Sequence, residues 1–297
     1  MTLGLFCQLC VNGLSVGMIY LLIVLGIDII MRLTSIMNFA HGQFYMMGAY
    51  AFWFTYVVLR FNVVPAILIS GAAVVLLGAL SYRFVFHVLQ RRFSPATPYS
   101  FRLLLSAMAS VGLMMILGQT AVVSFGTQHR GIPSIFPQTI GVGHVSLSVE
   151  RVVVILIGIL LVIGLFLLLF KTKIGKAMRA VSSNAEVSSL LGINTASIYL
   201  IGFALGAGLA GLAGVIIAPL FAVSTEMGNQ IIFMAFMVMV VGGIGSYKGS
   251  ILGSLLIGML SSFGYHYLGN LSLVLIFVAI MIVLVFKPGG ILGEVRD

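Results

Sequence analysis

Charged side chains are scarce in this sequence: of 297 residues, 15 are Lys or Arg and 6 are Asp or Glu, 7% in all. A soluble globular chain carries about 25% charge because its surface needs ionic groups. So few charges cannot coat a soluble particle of 31.7 kDa. Disorder is excluded too, since it requires low hydrophobicity and high net charge. Cysteine is almost missing: Cys7 and Cys10 are too few to staple a secreted scaffold of this length. Their CxxC spacing lacks the βαβ setting of a redox motif and reads as helix packing. No GxxxxGK[ST] loop is present, so this polypeptide has no cradle for ATP phosphates.

What fills the sequence instead is apolar: 61% hydrophobic residues and a mean hydropathy of +1.23. The apolar runs are continuous, whereas a β-barrel would alternate over segments of about ten residues. An all-α polytopic membrane protein is expected, as a single transmembrane domain over 1–297. Windows of about 20 apolar residues fall near 9–31, 37–59, 63–84, 102–126, 151–170, 196–222, 229–247, 249–268 and 271–287.

The net charge of +9 and pI near 9.8 raise the question of nucleic acid. In a membrane protein they are better read as cytoplasmic loops rich in Lys and Arg. With the N-terminus outside, nine crossings place Arg32, Arg83, Arg91, Arg92, Arg102, Lys171, Lys173, Lys176, Arg179, Lys248, Lys287 and Arg296 inside. Only Arg60, Arg130 and Arg151 remain outside, so that orientation is preferred and the C-terminus is cytoplasmic. A re-entrant segment 37–59 would give eight crossings and move Arg32 outside. No Lys or Arg precedes the first apolar run, which argues for a first span over a cleaved signal.

Lipid supplies no hydrophobic drive between helices, so close packing rests on small residues. The chain has 35 glycines; Gly202, Gly206, Ala210 and Gly214 mark one helix face, and Gly245, Gly249 and Gly253 another. Two stretches combine glycine with polar breaks. The first is Met37-Asn38-Phe39-Ala40-His41-Gly42-Gln43, continuing to Gly48. The second is Val241-Gly242-Gly243-Ile244-Gly245-Ser246. Both are expected at cytoplasmic helix ends. Paired interruptions in the two halves of a chain point to a substrate pathway built on internal repeats. The candidate pathway residues are therefore Asn38, His41, Gly42, Gln43, Gly48, Gly242, Gly243 and Gly245. The plainer reading is a pair of connecting turns, with His41 a buried imidazole bonded to a carbonyl. No metal site is expected, because the other histidines are scattered.

Ion-coupled carriers usually keep acids at membrane depth. Here only Asp28 falls within an expected span, with Arg32 four residues later as a ready partner. Transport, if any, must therefore draw energy from another subunit. The loop 171–195 could receive it. Ser183 and Glu186 have the spacing of a capping box, Val187, Leu190 and Leu191 share a helix face, and Gly192 suits the residue after a helix end. A short helix near 184–191 is expected, either docking on a soluble partner or resting on its own bundle. Arg179, Ser183, Glu186, Leu190, Leu191 and Gly192 are the candidate coupling residues.

At this point the residues resemble those of a known family, the permease subunits of branched-chain amino acid ABC importers, and among them the first of the two paralogous permeases. The carriers are Asn38-Phe39-Ala40-His41-Gly42 with Tyr45-Met46-x-Gly48, Ile174-Gly175-Lys176-Ala177-Met178-Arg179-Ala180, and Ser189-Leu190-Leu191-Gly192-Ile193-Asn194. Ala210-Gly211-Leu212-Ala213-Gly214-Val215, Gly242-Gly243-Ile244-Gly245-Ser246 and the close Lys287-Pro288-Gly289-Gly290-Ile291-Leu292-Gly293 complete the set. The family often has Glu after His-Gly, where this chain has Gln43.

The resemblance implies a non-enzymatic permease of the bacterial inner membrane. It would work with a second permease, two cytoplasmic ATP-binding subunits and an extracytoplasmic solute-binding protein. ATP would be bound by the partners, with no cofactor on this chain, and loop 171–195 would be the ATPase dock. Branched-chain or other apolar amino acids are the expected cargo, moved by alternating access. Urea or short amides are the alternative within the family. A self-sufficient carrier or channel, and a non-transporting scaffold, are the rivals from other classes.

Overall fold

The computed structural model describes residues 3–92, 98–142 and 145–293. Arg296, counted in the orientation argument, lies outside them. The architecture is a helical bundle built round α1 (Leu3–Thr34). The second half of α1 is apolar on all sides, and Leu21 to Ile30 is buried throughout. A helix that is hydrophobic all round belongs in the middle of a large core or membrane bundle.

The chain then runs through α2 (His41–Trp53), α3 (Val63–Ser81), α4 (His87–Arg91) and α5 (Tyr99–Phe125). A π-helical turn extends α2 over Phe54–Val58, and another joins α3 to α4 over Tyr82–Phe86. Next comes a hairpin of β1 (Thr139–Val142) and β2 (Val145–Ser148), paired antiparallel with Thr139 opposite Ser148. It is the one element among the described residues that departs from the all-helical expectation. The rest is α6 (Val149–Lys171), α7 (Lys173–Ser183), α8 (Ala185–Leu190), α9 (Thr195–Ile217), α10 (Met227–Gly242), α11 (Tyr247–Leu268) and α12 (Ser272–Phe286).

By length and composition, six stretches suffice to cross a membrane: Gly4–Thr34, Val63–Arg91, Tyr99–Phe125, Val149–Lys171, Thr195–Ile217 and Tyr247–Phe286. The sequence windows number nine because they also count α2, α10, and α11 and α12 separately. At 13 and 16 residues, α2 and α10 fall below the ~20 that a full crossing takes. Between α11 and α12 a short 3-10 turn, Gly269–Leu271, reverses the chain so that the two helices pack on each other.

A second central helix, α9, lets three neighbours approach through its small residues. Gly206 lies against Gly26 and Ile30 of α1, and Gly208 against Val75 of α3. A Cβ on Gly214 would overlap the Tyr45 carbonyl of α2, and one on Gly48 would overlap the Gly211 carbonyl. In lipid this backbone contact replaces the missing hydrophobic drive. The outer helices α3, α5, α6 and α12 turn large apolar side chains outward, among them Leu68, Met108, Leu160 and Phe277.

Leucine at Gly48 or Gly214 therefore forces α2 away from α9. Overpacking of this kind costs about 1–3 kcal/mol or more, so the thermal midpoint of the detergent-solubilised protein falls clearly. Gly112 has open space around it, and Gly112→Ala leaves the midpoint unchanged. Equal midpoints for all three variants would remove the α2–α9 contact as a determinant of stability.

Candidate functional site

The first polar break sits at the head of α2 but not level with the end of α1. It lies about two-thirds of the way along α1, at Ile23. His41 Nε2–H donates to the Ile23 carbonyl at 3.1 Å, eleven residues before Thr34, a rise of about 16 Å along the helix. Because a carbonyl only accepts, Nε2 must carry the proton. The expected buried imidazole on a carbonyl is thus what forms. A second ruler agrees: Phe39 N–H donates to Ser110 Oγ at 3.0 Å, and Ser110 is eleven residues into α5, again about 16 Å. Residues 35–40 are non-helical and cover this distance, with Phe39 and Ala40 forming a turn ahead of α2. Ser35 takes a left-handed φ of 52° where the chain leaves α1.

Three helices meet at the start of α2. Its neighbour α5 passes Phe39 through Ser110, whose hydroxyl also lies 3.1 Å from the Met37 carbonyl. On the other side, α10 sets Phe236 against Phe39, with ring centroids 5.0 Å apart and the planes tilted by 46°. Gly42 touches Gly228 so closely that a Cβ would overlap its carbonyl. Gln43 Nε2 donates to Asn229 Oδ1 at 2.8 Å, and Asn229 Nδ2 donates to Glu226 Oε2 at 3.0 Å. The result is a polar chain leading from a buried amide out to an exposed acid at the head of α10.

Asn38, His41 and Gln43 are fully or almost fully buried, yet each keeps an unused polar atom. Asn38 spends Oδ1 on the Ala40 amide and leaves Nδ2 unbonded. His41 Nδ1 and Gln43 Oε1 have no partner either. A buried polar group left unpaired costs about 1–3 kcal/mol. One free donor and two free acceptors thus surround the start of α2, whose His41 and Gln43 amides already donate to the Asn38 and Ala40 carbonyls. Below them, at the Thr34 end, a cavity of about 440 Å³ is lined by Thr34, Gln90, Tyr99, Arg102, Ser106 and Tyr199.

The second break is a tight turn between α10 and α11. Gly243 has φ 100°, a conformation that needs glycine, and its neighbours are Gly289 and Gly293. Gly242 abuts Gly249, and Gly245 lies against Arg32. Ile291 and Leu292 N–H groups donate to the Val241 and Gly242 carbonyls, stitching the end of the chain onto this turn. Ser246 caps α11 by accepting from the Gly249 amide at 3.2 Å. The structure does not bring the two breaks together: Gly42 meets α10 at Gly228 and Gly242 closes it, about 21 Å away along the helix. What joins them is α10 itself.

Asp28 is fully buried and accepts from the Ser250 hydroxyl. Arg32 does not pair with it. The guanidinium lies 4.7 Å from the centroid of the Tyr247 ring instead.

The loop 171–195 corrects one expectation. Ser183 is the last residue of α7, and the cap of α8 is Asn184, whose Oδ1 accepts from the Val187 amide at 3.0 Å. Asn184 takes the cap because its extended backbone (φ −155°, ψ 106°) separates the two helices and aims the side chain at the new amides. The Ser183–Glu186 box does not form; both side chains are exposed. Gly192 follows the helix end with φ 82°, as its position requires. Leu190 and Leu191 are 82% and 77% exposed, so α8 does not rest its apolar stripe on the bundle. Arg179 bonds the Leu169 carbonyl and covers the Phe170 ring, bracing the α6–α7 corner.

These features match a known pattern over most of the chain. The family model described as the permease component of a branched-chain amino acid transport system covers residues 9–286. The chain belongs to that family. The BraD permease protein of Pseudomonas aeruginosa, from a high-affinity branched-chain amino acid transport system, is 29% identical over 97% of this chain and 96% of its own. LivH of Escherichia coli K12, described in the same words, is 27% identical over 97% and 96%. The PsaBC structure from Streptococcus pneumoniae, solved with a Fab, aligns at 14% identity with a TM-score of 0.46, over 92% of this chain and 90% of that one. The permease is thus a transport subunit, one component of a larger system.

Sequence reasoning missed Ser110, Asn229, Glu226 and the Phe39–Phe236 contact. The Asn229-Gln230 pair at the head of an apolar run was a visible signal. Ser110 carried none, since serines occur throughout these helices.

The cap assignment is open to test by amide exchange on the solubilised permease. Asn184→Ala removes a cap worth about 1 kcal/mol, so the amides of α8 exchange roughly fivefold faster. Ser183→Ala leaves them as they were. The reverse pattern would restore the capping box.

Proposed function

We propose that this permease carries apolar amino acids, branched-chain ones first, into the cell along a path (the cleft) that opens at the start of α2 between α5 and α10. The observation that carries the proposal is the cluster of buried, half-satisfied polar groups at Asn38, His41 and Gln43, placed about two-thirds of the way along α1. A zwitterion passing there meets the free Asn38 amide donor on its carboxylate side, and the two free acceptors of His41 and Gln43 on its ammonium side. Dipoles of an interrupted helix serve such a solute without a buried charge. The cavity below, bordered by Arg102, is the exit vestibule in this reading.

The whole chain acts as one transmembrane domain of the inner membrane, crossing nine times with its N-terminus outside and its C-terminus in the cytoplasm. The second crossing consists of residues 35–40 followed by α2. This orientation keeps the basic groups, all but Arg60, Arg130 and Arg151, on the cytoplasmic side. The partners are a second permease, two cytoplasmic ATP-binding subunits and an extracytoplasmic solute-binding protein; ATP is bound by those subunits and this chain needs no cofactor. Loop 171–195 is the dock. Its exposed Leu190 and Leu191 enter an ATPase groove, with Glu186 and Gly192 beside them and Arg179 bracing the corner behind. ATP-driven movement of α7 and α8 tilts α10, which pivots at Gly243 and shifts Gly228 over Gly42, giving alternating access.

Uptake of labelled leucine by vesicles holding the assembled system tests the proposal. Uptake requires ATP and is reduced by excess valine but not by excess urea or acetamide. Competition by urea would assign the amide-lined cleft to the smaller solutes, and ATP-independent uptake that follows an ion gradient would remove the importer reading. For the dock, burying two leucines is worth roughly 3–6 kcal/mol. Leu190→Asp with Leu191→Asp therefore lowers co-purification of the ATP-binding subunits by more than about 100-fold without altering the thermal midpoint of the permease.

A further inference from the structure

A second cavity, of about 510 Å³, lies at the Leu3 half of α1, between α1, α10, α11 and α12. It is not part of the cleft. Its wall takes Ile231 and Met234 from α10 and Tyr45 from α2, whereas the cleft uses Asn229 and Phe236 of α10 and Gln43 of α2. At about 100° per residue, Ile231 and Met234 lie roughly 140–200° round the helix from Asn229, and Tyr45 lies as far from Gln43. So α2 and α10 form a partition with the cleft on one side and this cavity on the other.

Its lining is mixed in a particular way. Arg151, the third residue of α6 after Val149 and Glu150, borders it half-buried. No carboxylate among the described residues is placed against that guanidinium. The adjacent acid faces elsewhere: Glu150 Oε1 accepts from the Ser134 hydroxyl at 2.7 Å and the Ile135 amide at 2.8 Å. Across the cavity stand hydroxyls. Tyr45 has no hydrogen-bond partner for its own among the described residues, and Tyr20 lies beside Ser261. Ile19, Ile231 and Ile276 supply apolar wall, while Asn12, Ser262, Tyr265, His266 and Ser272 add further polar groups to the lining.

We propose that this cavity is a second solute site, which holds an apolar α-amino acid with its carboxylate on Arg151, its ammonium toward the Tyr45 and Tyr20 hydroxyls, and its side chain among the isoleucines. A half-buried cation without a counter-ion favours an anionic ligand group. An acyl chain would leave the hydroxyls facing hydrocarbon, where an unpaired polar group is costly, so a zwitterion fits the lining better than a lipid tail. The volume accommodates a leucine-sized solute and a few waters. The inference rests on the amino-acid reading above for its ligand class, and it gives α2 and α10 a solute on each face.

The test is equilibrium binding of radiolabelled leucine to the whole assembly in nanodiscs, without ATP and without the solute-binding protein. Arg151→Gln weakens this binding at least tenfold, and Arg151→Lys recovers part of it. Leu273→Trp, a substitution at a half-exposed lining position, reduces binding by filling the space with the guanidinium intact, which guards against a folding defect at Arg151. Gln43→Ala damages the cleft yet leaves the ATP-free binding in place. Equal binding by wild type and Arg151→Gln, with wild-type uptake preserved, overturns this inference alone. Loss of binding in Gln43→Ala as well as Arg151→Gln merges the two sites and overturns it too. A phospholipid that co-purifies with the wild type and is lost in Arg151→Gln would replace the amino acid with an anionic lipid. Absence of leucine uptake by the wild-type assembly would mark failure of the underlying reading.

Discussion

Backbone at membrane depth must find its hydrogen bonds inside the protein, because hydrocarbon offers none. Residues 35–40 are the point where this permease meets that constraint outside a helix. The segment is held by the Ser110 hydroxyl on Phe39 and Met37, by Asn38 on Ala40, and by His41 on the Ile23 carbonyl. These few bonds allow α2 to start about two-thirds of the way along α1. That start brings together the unused polar atoms of Asn38, His41 and Gln43.

The arrangement also demands that α2 be surrounded. Its contacts with α9 pass through Gly48, Gly211 and Gly214, and its contact with α10 through Gly42 and Gly228. Backbone-to-backbone packing brings the interrupted helix within reach of three others without large side chains filling the space between. The same closeness makes α2 and α10 a thin partition, so that a tilt of α10 alters the cleft and the Arg151 cavity together. At its far end α10 closes on the Gly242–Gly245 turn, which the chain's last described residues brace through Ile291 and Leu292.

At the opposite surface the constraint is reversed. On α8, water surrounds two leucines that are more than three-quarters exposed. Large exposed apolar groups on a capped, well-formed helix mark an interaction surface. Thr172, bonded to the Gly175 amide, and Arg179, bonded to the Leu169 carbonyl, set the angle at which α7 and α8 leave the bundle.

Class, helix positions and the location of the polar breaks were all legible in the sequence, because the need to bury about 20 apolar residues per crossing writes itself into composition. So were the exposed stripe on α8 and the glycine that ends it, since both depend on neighbours within one turn. The sequence also pointed to Asn38, His41 and Gln43 as a polar break. Only the tertiary structure decided that this break lies deep in the bundle and the second one at the end of α10, because depth depends on which helices flank a segment. The cap of α8 fell to Asn184 over Ser183 once α7 ran one residue further than local pattern suggests. Asn229, Ser110 and Arg151 gained their surroundings from helices distant in the chain, and nothing in their own neighbourhoods carries that information. The scarcity of charge determined the medium; the fold determined where the few buried polar groups came together.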